Sequence, residues 1–500
     1  MKLTDIKTLK DLKSNGYTSK SIKQEMRDNL LSLMSREETL FSDIIGFDDT
    51  VIPDLQRALL SRHNIIFLGL RGQAKTRMAR AMVDLLDEYI PVIEGSELND
   101  DPLNPISFHG REMISRHGED TPIDWVHKSE RYTEKLATPD VTIADLIGDV
   151  DPIKAANLRL NYSDERVIHF GLLPRSHRCV FVINELPDLQ ARIQVALFNI
   201  LQERDVQIRG FKMRLPLDIQ FVFTANPEDY TNRGSIVTPL KDRIESQILT
   251  HYPKSIELSK KITHQEARVL EEQYKRVEIV PAALDLIEQV AFQARDSEYV
   301  DEKSGVSARL TISAFENFVS TGERRSLITG DKKTACRLSD FFGIIPSITG
   351  KIELVYEGQV EGPTKVAHYL IGKAIKAEFL KQFPDPERYK RKMESSPYYS
   401  ILNWFREGNT LDVLNDIKDK EYQRLLNAVP GLPDVVKKYH PDCSKNESYF
   451  YMEMILHAMA EMSYLSKYSL EKGTQFKDLL SSMLNMDDDD DQERYLSADQ

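Results

Sequence analysis

Short apolar runs alternate with polar stretches through the first half of the chain. Three of these runs, at 65–68, 179–183 and 219–223, are rich in β-branched and aromatic residues, and polar residues follow them. Such runs are typical of strands buried on both faces of a parallel sheet. The pattern predicts an open α/β sheet, which binds ligands at the carboxyl ends of its strands.

Apolar residues at helical spacing mark the flanking regions. One stripe in residues 1–37 predicts a helix packed on the core, with partner docking as an alternative. This stripe consists of Ile22, Met26, Leu30, Leu31 and Met34. Residues 258–321 read as several helices, and a Tyr and Met stripe in 449–462 predicts another buried helix. The segment 95–132 shows neither helical spacing nor the alternation of a strand, so we expect an irregular surface excursion there.

A glycine-containing loop follows the first apolar run and precedes a predicted helix beginning at Lys75. It follows the phosphate-binding pattern G-x-x-x-x-G-K-[ST], except that Ala74 stands at the last glycine. Backbone N–H groups of such a loop surround phosphate oxygens. Lys75 is expected to reach the β- and γ-phosphates of ATP, and Thr76 to hold Mg²⁺. The candidate residues of the loop are Gly69, Gly72, Gln73, Ala74, Lys75 and Thr76.

Polar residues follow the other two apolar runs. Asn184 and Glu185 end the run that begins at Cys179, and Asn226 ends the third run. Glu185 is a candidate to polarise the water that attacks the γ-phosphate, and Asn226 to orient that water. Asn184 stands where an aspartate would normally serve the Mg²⁺ shell, and its amide adds no charge. Alternatively, these are ordinary polar residues at strand exits.

With these elements in order, the chain resembles the AAA+ ATPases, and within them the MoxR and magnesium-chelatase I-subunit branch. The loop at 69–76 is similar to the MoxR loop, which itself carries Ala before Lys, although Arg71 replaces its usual proline. The other segments that resemble this branch are 142–149 before the helix-2 insertion, 180–185 in the second nucleotide motif, 224–227 in sensor 1, 240–243 in the arginine-finger segment and 306–309 in sensor 2.

The resemblance implies a ring, expected to be a hexamer, in which Arg243 of one protomer completes the neighbour's site. Arg243 is equally compatible with an ordinary surface salt bridge. The resemblance also implies that Arg309 faces the γ-phosphate, that Ile45 and Gly46 cup the adenine, and that Thr76 and Asn184 serve the metal. Ile45 and Gly46 could instead form a plain hydrophobic turn.

The resemblance further implies an insertion at about 142–172 and a β-hairpin at 205–215, where alternation around Gly210 independently predicts a hairpin. The expected fold class is α/β, a P-loop AAA+ core with a parallel sheet, a small helical lid and a mainly α-helical C-terminal region. The predicted domains are an N-terminal helical segment (1–37), the ATP-binding core (38–255), the lid (256–325), the C-terminal region (326–486) and an acidic tail (487–500).

Composition and charge exclude several kinds of site and partner. The net charge of −13 disfavours general attraction to nucleic acid. The three cysteines are widely scattered, so neither a disulfide framework nor a zinc site is indicated. The sequence contains no apolar run of the roughly 18 residues that a membrane helix needs. We therefore expect a soluble, cytoplasmic protein without membrane or specific nucleic-acid partners.

The predicted function is that of an ATP-binding and ATP-hydrolysing ring that remodels or assembles a protein partner, with ATP and Mg²⁺ as ligands. In the MoxR branch that partner is often a von Willebrand factor A domain protein. One alternative is an ATP-gated assembly scaffold with little hydrolysis, which Asn184 favours. Another is a magnesium-chelatase ATPase subunit, which the long C-terminal region makes the weaker prediction.

Overall fold

The computed structural model describes residues 5–161, 164–203, 205–208, 214–227, 236–470 and 473–479. The chain forms two compact units, Met1–Tyr252 and Pro253–Gln500, called here the first and second units. The predicted fold class is confirmed, since the first unit holds a parallel sheet between helices and the second is largely helical. The predicted acidic tail lies outside the described residues.

The first unit contains ten helices and eleven strands among its described residues. The helices α1 to α10 are Leu9–Ser14, Ile22–Ser35, Val51–Leu60, Lys75–Ala81, Phe108–His117, Ile143–Leu146, Pro152–Leu158, Leu172–Arg175, Ala191–Glu203 and Thr238–Asp242. The strands β1 to β11 are Ile65–Leu68, Tyr89–Ile93, Ile123–His127, Tyr132–Leu136, Gly148–Val150, Ile168–Phe170, Cys179–Asn184, Asp205–Gln207, Arg214–Pro216, Ile219–Ala225 and Ser246–Leu249.

Five of these strands form one parallel sheet in the order β11-β1-β10-β7-β4. The three predicted apolar runs become β1, β7 and β10, and every residue of these strands is buried. Their side chains enter cores on both faces of the sheet, which explains why the runs do not alternate. All three carboxyl ends therefore open at the same edge of the sheet.

The prediction of an irregular segment at 95–132 is wrong. Helix α5 occupies Phe108–His117, and β3 pairs antiparallel with β2 over Ile123–His127. Strand β4, beginning at Tyr132, forms an edge of the central sheet beside β7. Its residues are half-buried or exposed, so its sequence lacks the apolar run that identifies the inner strands.

The N-terminal helix α2 packs on the central sheet, as predicted. Ile22, Met26 and Leu30 join the same core as strand β1. A buried ion pair reinforces this contact, because the two terminal guanidinium nitrogens of Arg131 donate to the Glu25 carboxylate at 2.6 and 2.7 Å. The N-terminal helix is thus an integral part of the first unit.

Two small antiparallel strand pairs are formed by segments that lie between the sheet strands along the chain. Strands β5 and β6 pair within the predicted insertion at 142–172, and α7 lies between them in sequence. Strands β8 and β9 pair within the predicted hairpin, whose turn around Gly210 lies outside the described residues.

The second unit contains eleven helices and five strands among its described residues. The helices α11 to α21 are Ile256–Glu266, Glu271–Arg276, Pro281–Arg295, Arg309–Thr329, Ile345–Thr349, Tyr356–Glu361, Pro363–Gln382, Tyr399–Arg406, Asp419–Asn427, Leu432–Tyr439 and Lys445–Glu461. The strands β12 to β16 are Val277–Glu278, Thr334–Ala335, Leu411–Leu414, Leu465–Leu470 and Gly473–Asp478.

One apolar core runs through the second unit, from Val277 to Phe476. The predicted Tyr and Met stripe becomes α21, which buries Tyr451, Met454 and Met459. A three-stranded antiparallel sheet in the order β14-β16-β15, absent from the prediction, adds to the helices. No helix in the described part of the chain is long and apolar enough to span a bilayer.

Candidate functional site

Three positions in the loop between β1 and α4 require either close packing or a left-handed backbone. Gly69 leaves room for its neighbours, since a Cβ there would overlap the Thr250 hydroxyl and the Gln73 amide oxygen. Gly72 has a φ of 76° and Ala74 a φ of 55°, so both are left-handed. Glycine adopts this conformation freely, whereas other residues are strained by roughly 1–2 kcal/mol. The loop therefore holds Ala74 under strain, directly before the helix.

Lys75 joins this loop to the end of β10. Its side chain is buried, and its ammonium donates to the carbonyl oxygens of Gly69 and Leu70 and to Asn226 Oδ1, the last at 2.7 Å. A lysine ammonium has three donors and no acceptor. Lys75 thus places a positive charge between the loop and the tip of a neighbouring strand.

Asn184 ends β7 beside Thr76. Its amide oxygen accepts hydrogen bonds from the Thr76 hydroxyl at 3.3 Å and from the Thr224 hydroxyl at 3.1 Å. Asn184 is buried, so the amide oxygen is confined to this position between two hydroxyl groups. The second strand tip is thereby connected to the first turn of α4.

Glu185 follows Asn184 in a left-handed conformation, with a φ of 55°. Its backbone N–H donates to the Thr224 hydroxyl at 3.1 Å, which holds this turn in place. Its carboxylate accepts a hydrogen bond from Asn226 Nδ2 at 3.2 Å. A carboxylate and an amide from adjacent strands therefore meet where the sequence predicts an attacking water.

Glu134 is a site residue that the sequence analysis missed. It lies on β4, and its Oε1 accepts a hydrogen bond from Asn184 Nδ2 at 2.5 Å. Its Oε2 accepts from Arg80 at 2.7 Å and from the Tyr132 hydroxyl at 2.8 Å. Burial raises the pKa of Tyr132, and the bond to Glu134 raises it further, so the hydroxyl remains a donor. Thr224 was also missed as a positioning residue, although it lies in a predicted motif.

These oxygen atoms suit magnesium bound together with phosphate. Mg²⁺ prefers oxygen ligands and in nucleotide sites uses one or two protein groups beside phosphates and waters. Thr76 and Asn184 offer such oxygens, with the carboxylates of Glu134 and Glu185 nearby in the hydrogen-bond network. Within the described ranges, no group of three or more His, Cys, Asp or Glu residues could enclose a metal. The donor set fits an ion held jointly with a nucleotide.

A cavity of about 620 Å³ lies beside the first turns of α4. Thr76, Arg77 and Ile44 line it, together with Leu40 and Phe41. Polar and apolar groups thus share a concave surface next to the loop, as in many small-molecule sites. Ile45 and Gly46, the predicted adenine residues, follow Ile44 directly along the chain.

The two candidate arginines belong to different units. Arg243 follows α10, donates to Gln202 Oε1 at 3.0 and 3.1 Å, and lies 5.0 Å from the centre of the Phe198 ring. Arg309 belongs to the second unit and begins α14, and its N–H donates to Ser307 Oγ at 3.1 Å. The structure thus brings together Lys75, Thr76, Asn184, Glu185 and Asn226, and gives Arg243 separate partners.

Three comparisons with known proteins bear on this site. Residues 126–244 match the family model of the AAA domain (dynein-related subfamily). Magnesium-chelatase subunit ChlI of Nicotiana tabacum is 25% identical over 260 residues, covering 51% of this chain and 58% of that protein. The ChlI subunit of Nostoc sp. is 26% identical over 231 residues, covering 45% of this chain and 58% of that protein.

A solved structure of the complex between subunits BchI and BchD of magnesium chelatase is also similar. It is 17% identical, covers 64% of this chain and 98% of that chain, and has a TM-score of 0.33. The chain spans a little over half the length of the ChlI subunits that it matches. The family model and the ChlI matches, together with the order of the nucleotide motifs, confirm that the chain resembles the AAA+ proteins of the MoxR and magnesium-chelatase I-subunit branch.

Proposed function

We propose that this protein binds ATP with Mg²⁺ and hydrolyses it. The observation that carries the proposal is the meeting of five polar residues from the ends of two adjacent parallel strands and from the helix after the glycine loop. These residues are Lys75, Thr76, Asn184, Glu185 and Asn226. The carboxyl edge of an open α/β sheet is where ligands bind in this class of fold.

Each residue has a distinct role in this proposal. Lys75 exchanges its carbonyl and amide partners for the β- and γ-phosphates, supported by the N–H groups of the loop. Thr76 and Asn184 present oxygens to Mg²⁺, which would neutralise phosphate charge when bound. Glu185 accepts a proton from the attacking water, and Asn226, whose Nδ2 lies 3.2 Å from the Glu185 carboxylate, orients that water.

Two arginines complete the proposed site. Arg243 leaves Gln202 and Phe198 to reach the nucleotide of the neighbouring protomer, in a ring that we propose is hexameric. An arginine supplied in trans typically accelerates phosphoryl transfer by roughly 10³–10⁵-fold. Arg309, from the second unit, contacts the γ-phosphate and so links hydrolysis to the lid.

The proposed task is to remodel or assemble a protein partner. The ChlI relatives are by name subunits of magnesium chelatase, which supports a role within a larger assembly for a similar AAA+ chain. A von Willebrand factor A domain protein is the partner class that we propose. The second unit, with its own apolar core, offers a separate body for such contacts.

A second candidate function is an ATP-gated scaffold that hydrolyses little. Asn184 favours it, because an amide at the end of β7 carries no charge to balance a metal ion. Phosphate release by the purified wild type separates the two candidates, since a scaffold would bind nucleotide without steady turnover.

Mixing two inactive variants tests the ring. Glu185→Gln retains Arg243, and Arg243→Ala retains Glu185, so mixed rings contain some interfaces with both groups. We expect each variant alone to release little phosphate and the mixture to recover part of the activity. The matched control mixes Glu185→Gln with the double variant Glu185→Gln/Arg243→Ala, which should recover none. An Arg243→Ala variant as active as wild type would contradict the trans arrangement, as would mass photometry showing only monomers in saturating ATP.

A further inference from the structure

The end of β7 carries an amide where a carboxylate is expected, and a carboxylate stands directly behind it. Asn184 Nδ2 donates to Glu134 Oε1 at 2.5 Å, and hydrogen bonds to an ionised acceptor are stronger than those between neutral groups. Neither the family resemblance nor the loop pattern draws attention to Glu134. Its position follows from the pairing of β4 with β7 at the edge of the sheet.

The contacts of Glu134 fix the orientation of the Asn184 amide. An ionised carboxylate only accepts hydrogen bonds, so it requires the NH₂ group of Asn184 to face it. The Asn184 oxygen must then face the hydroxyls of Thr76 and Thr224, at 3.3 and 3.1 Å. Without the carboxylate, the amide could rotate and present its NH₂ group toward Thr76, where it would repel a cation.

The carboxylate is itself held in place. Arg80 and the Tyr132 hydroxyl both donate to its second oxygen, and the side chain is 26% exposed. Asn184 and Glu134 together therefore present one oxygen and one negative charge, as a single aspartate would.

We propose that Glu134 is a positioning residue that converts Asn184 into a competent magnesium ligand. This inference rests on the proposed function, because it assumes that ATP binds here with Mg²⁺. It also removes the reason for regarding Asn184 as a defect, since the missing charge is supplied from the neighbouring strand.

A charge-swap test moves the carboxylate from position 134 to position 184. It uses the full chain and a fluorescent ATP analogue, with binding measured across a Mg²⁺ titration and in EDTA. In Glu134→Gln, Arg80 and Tyr132 donate to the new amide oxygen, so the new NH₂ group faces Asn184. The Asn184 amide then rotates, so that its oxygen faces the glutamine and its own NH₂ group faces Thr76. We expect the half-saturating Mg²⁺ concentration to rise by roughly 10–100-fold, as for other residues that orient metal ligands. Binding in EDTA should not change.

The double variant Glu134→Gln/Asn184→Asp should restore the wild-type Mg²⁺ dependence, because the introduced aspartate supplies the charge and accepts a hydrogen bond from the introduced glutamine. Asn184→Asp alone should not improve it, since two carboxylates would then be in contact. The matched control is Glu165→Gln, because Glu165 is also paired with an arginine, at 2.6 Å, and is 28% exposed. Thermal unfolding of both single Gln variants checks that they fold.

The outcomes separate this inference from the proposed function. If wild type binds the analogue with Mg²⁺ and Glu134→Gln shows the same Mg²⁺ dependence, Glu134 has no positioning role and only this inference fails. If the double variant binds Mg²⁺ as poorly as Glu134→Gln, the charge-swap explanation is overturned. If wild type does not bind the analogue at all, the proposed function and this inference both fail.

Discussion

The candidate site of the first unit and the buried polar network of the second unit place charged side chains in different settings. In the first unit, Glu185 follows the end of β7 and Glu134 lies on the neighbouring strand β4, and both side chains are half-buried. In the second unit, Arg325 and Asp340 form a fully buried pair, with N···O at 2.9 Å. Partly exposed polar groups gathered from several elements are typical of a binding site, whereas buried, mutually paired groups specify a packed interior.

The buried network of the second unit extends beyond this pair. The Glu453 carboxylate accepts from the N–H groups of Leu338 and Ser339 and from the Tyr422 hydroxyl. Burial raises the pKa of Glu453. We infer that polar changes in the second unit act mainly on stability, and that those at the first unit's strand ends act mainly on nucleotide chemistry. Substitutions in each setting can test this contrast.

The largest stability effect is expected for Arg325→Met. Arg325 is 2% exposed and also contacts Asp419 at 3.2 Å, so its removal leaves buried carboxylates without a cation. Breaking such a pair typically costs about 3–5 kcal/mol. Urea denaturation should show this loss, while ATP-analogue binding before the transition stays unchanged.

The control is Arg116→Met, which breaks an exposed pair with Glu112 and should cost less than about 1 kcal/mol. Equal unfolding free energies for Arg325→Met and Arg116→Met would remove the contrast between the two settings.

Acid should destabilise the first unit through His177. Burial, and then the charge of Arg178, lower the pKa of His177 to about 4. In the unfolded chain its pKa is about 6.5, so between these values the unfolded state binds a proton that the folded state excludes. The contribution of His177 to the free energy of unfolding is complete above pH ~6.5. It falls as pH decreases toward 4, by about 3 kcal/mol at most.

The variant His177→Asn tests this dependence by denaturation at several pH values. Asparagine can still accept the Asp218 N–H bond, which is 3.0 Å long in the wild type, but does not titrate. We expect a shallower loss of unfolding free energy below pH 6.5. An unchanged pH profile would show that other groups control the acid sensitivity.

Gly69→Ala should damage the phosphate loop itself. The added Cβ would overlap the Thr250 hydroxyl, and such overpacking costs about 1–3 kcal/mol. Because the loop must shift, ATP-analogue affinity should fall along with the unfolding free energy. Adding Thr250→Ala removes the hydroxyl and should recover part of both losses. Unchanged affinity in Gly69→Ala would separate this loop from nucleotide binding.

The smallest effect is expected for Ala74→Gly. Glycine relieves the left-handed strain at a φ of 55° but loses more entropy on folding, so the net gain is about 1 kcal/mol or less. The contrasting variant Ala79→Gly, inside the same helix, should lose about 1 kcal/mol. Thermal denaturation compares the two, and destabilisation by Ala74→Gly would show that the alanine is not strained.

The inner strands and the loop could be predicted because their physical requirements are local. A strand buried on both faces needs a continuous apolar run, as in 179–183, and a phosphate loop needs glycines and a lysine at fixed spacing. The same patterns marked Asn184, Glu185 and Asn226 at strand ends. Their contacts with one another then follow from parallel pairing.

Glu134 could not be predicted, because its role depends on a tertiary neighbour. Strand β4 is a partly exposed edge strand, and its polar sequence matches no buried pattern. Only its pairing with β7, with Leu136 beside Asn184, brings Glu134 to the amide. The sheet of β14, β15 and β16 was missed for a related reason, since short half-buried strands give weak signals.

Phosphate release by wild type and by Glu185→Gln at saturating ATP and Mg²⁺ decides whether the first unit is an ATPase, provided that ATP-analogue binding is measured on both proteins. If the first unit hydrolyses ATP, wild type turns over steadily and the variant releases phosphate about 10²–10⁴-fold more slowly while still binding nucleotide. Equal release by the two proteins, or none by either, would contradict the proposed hydrolysis.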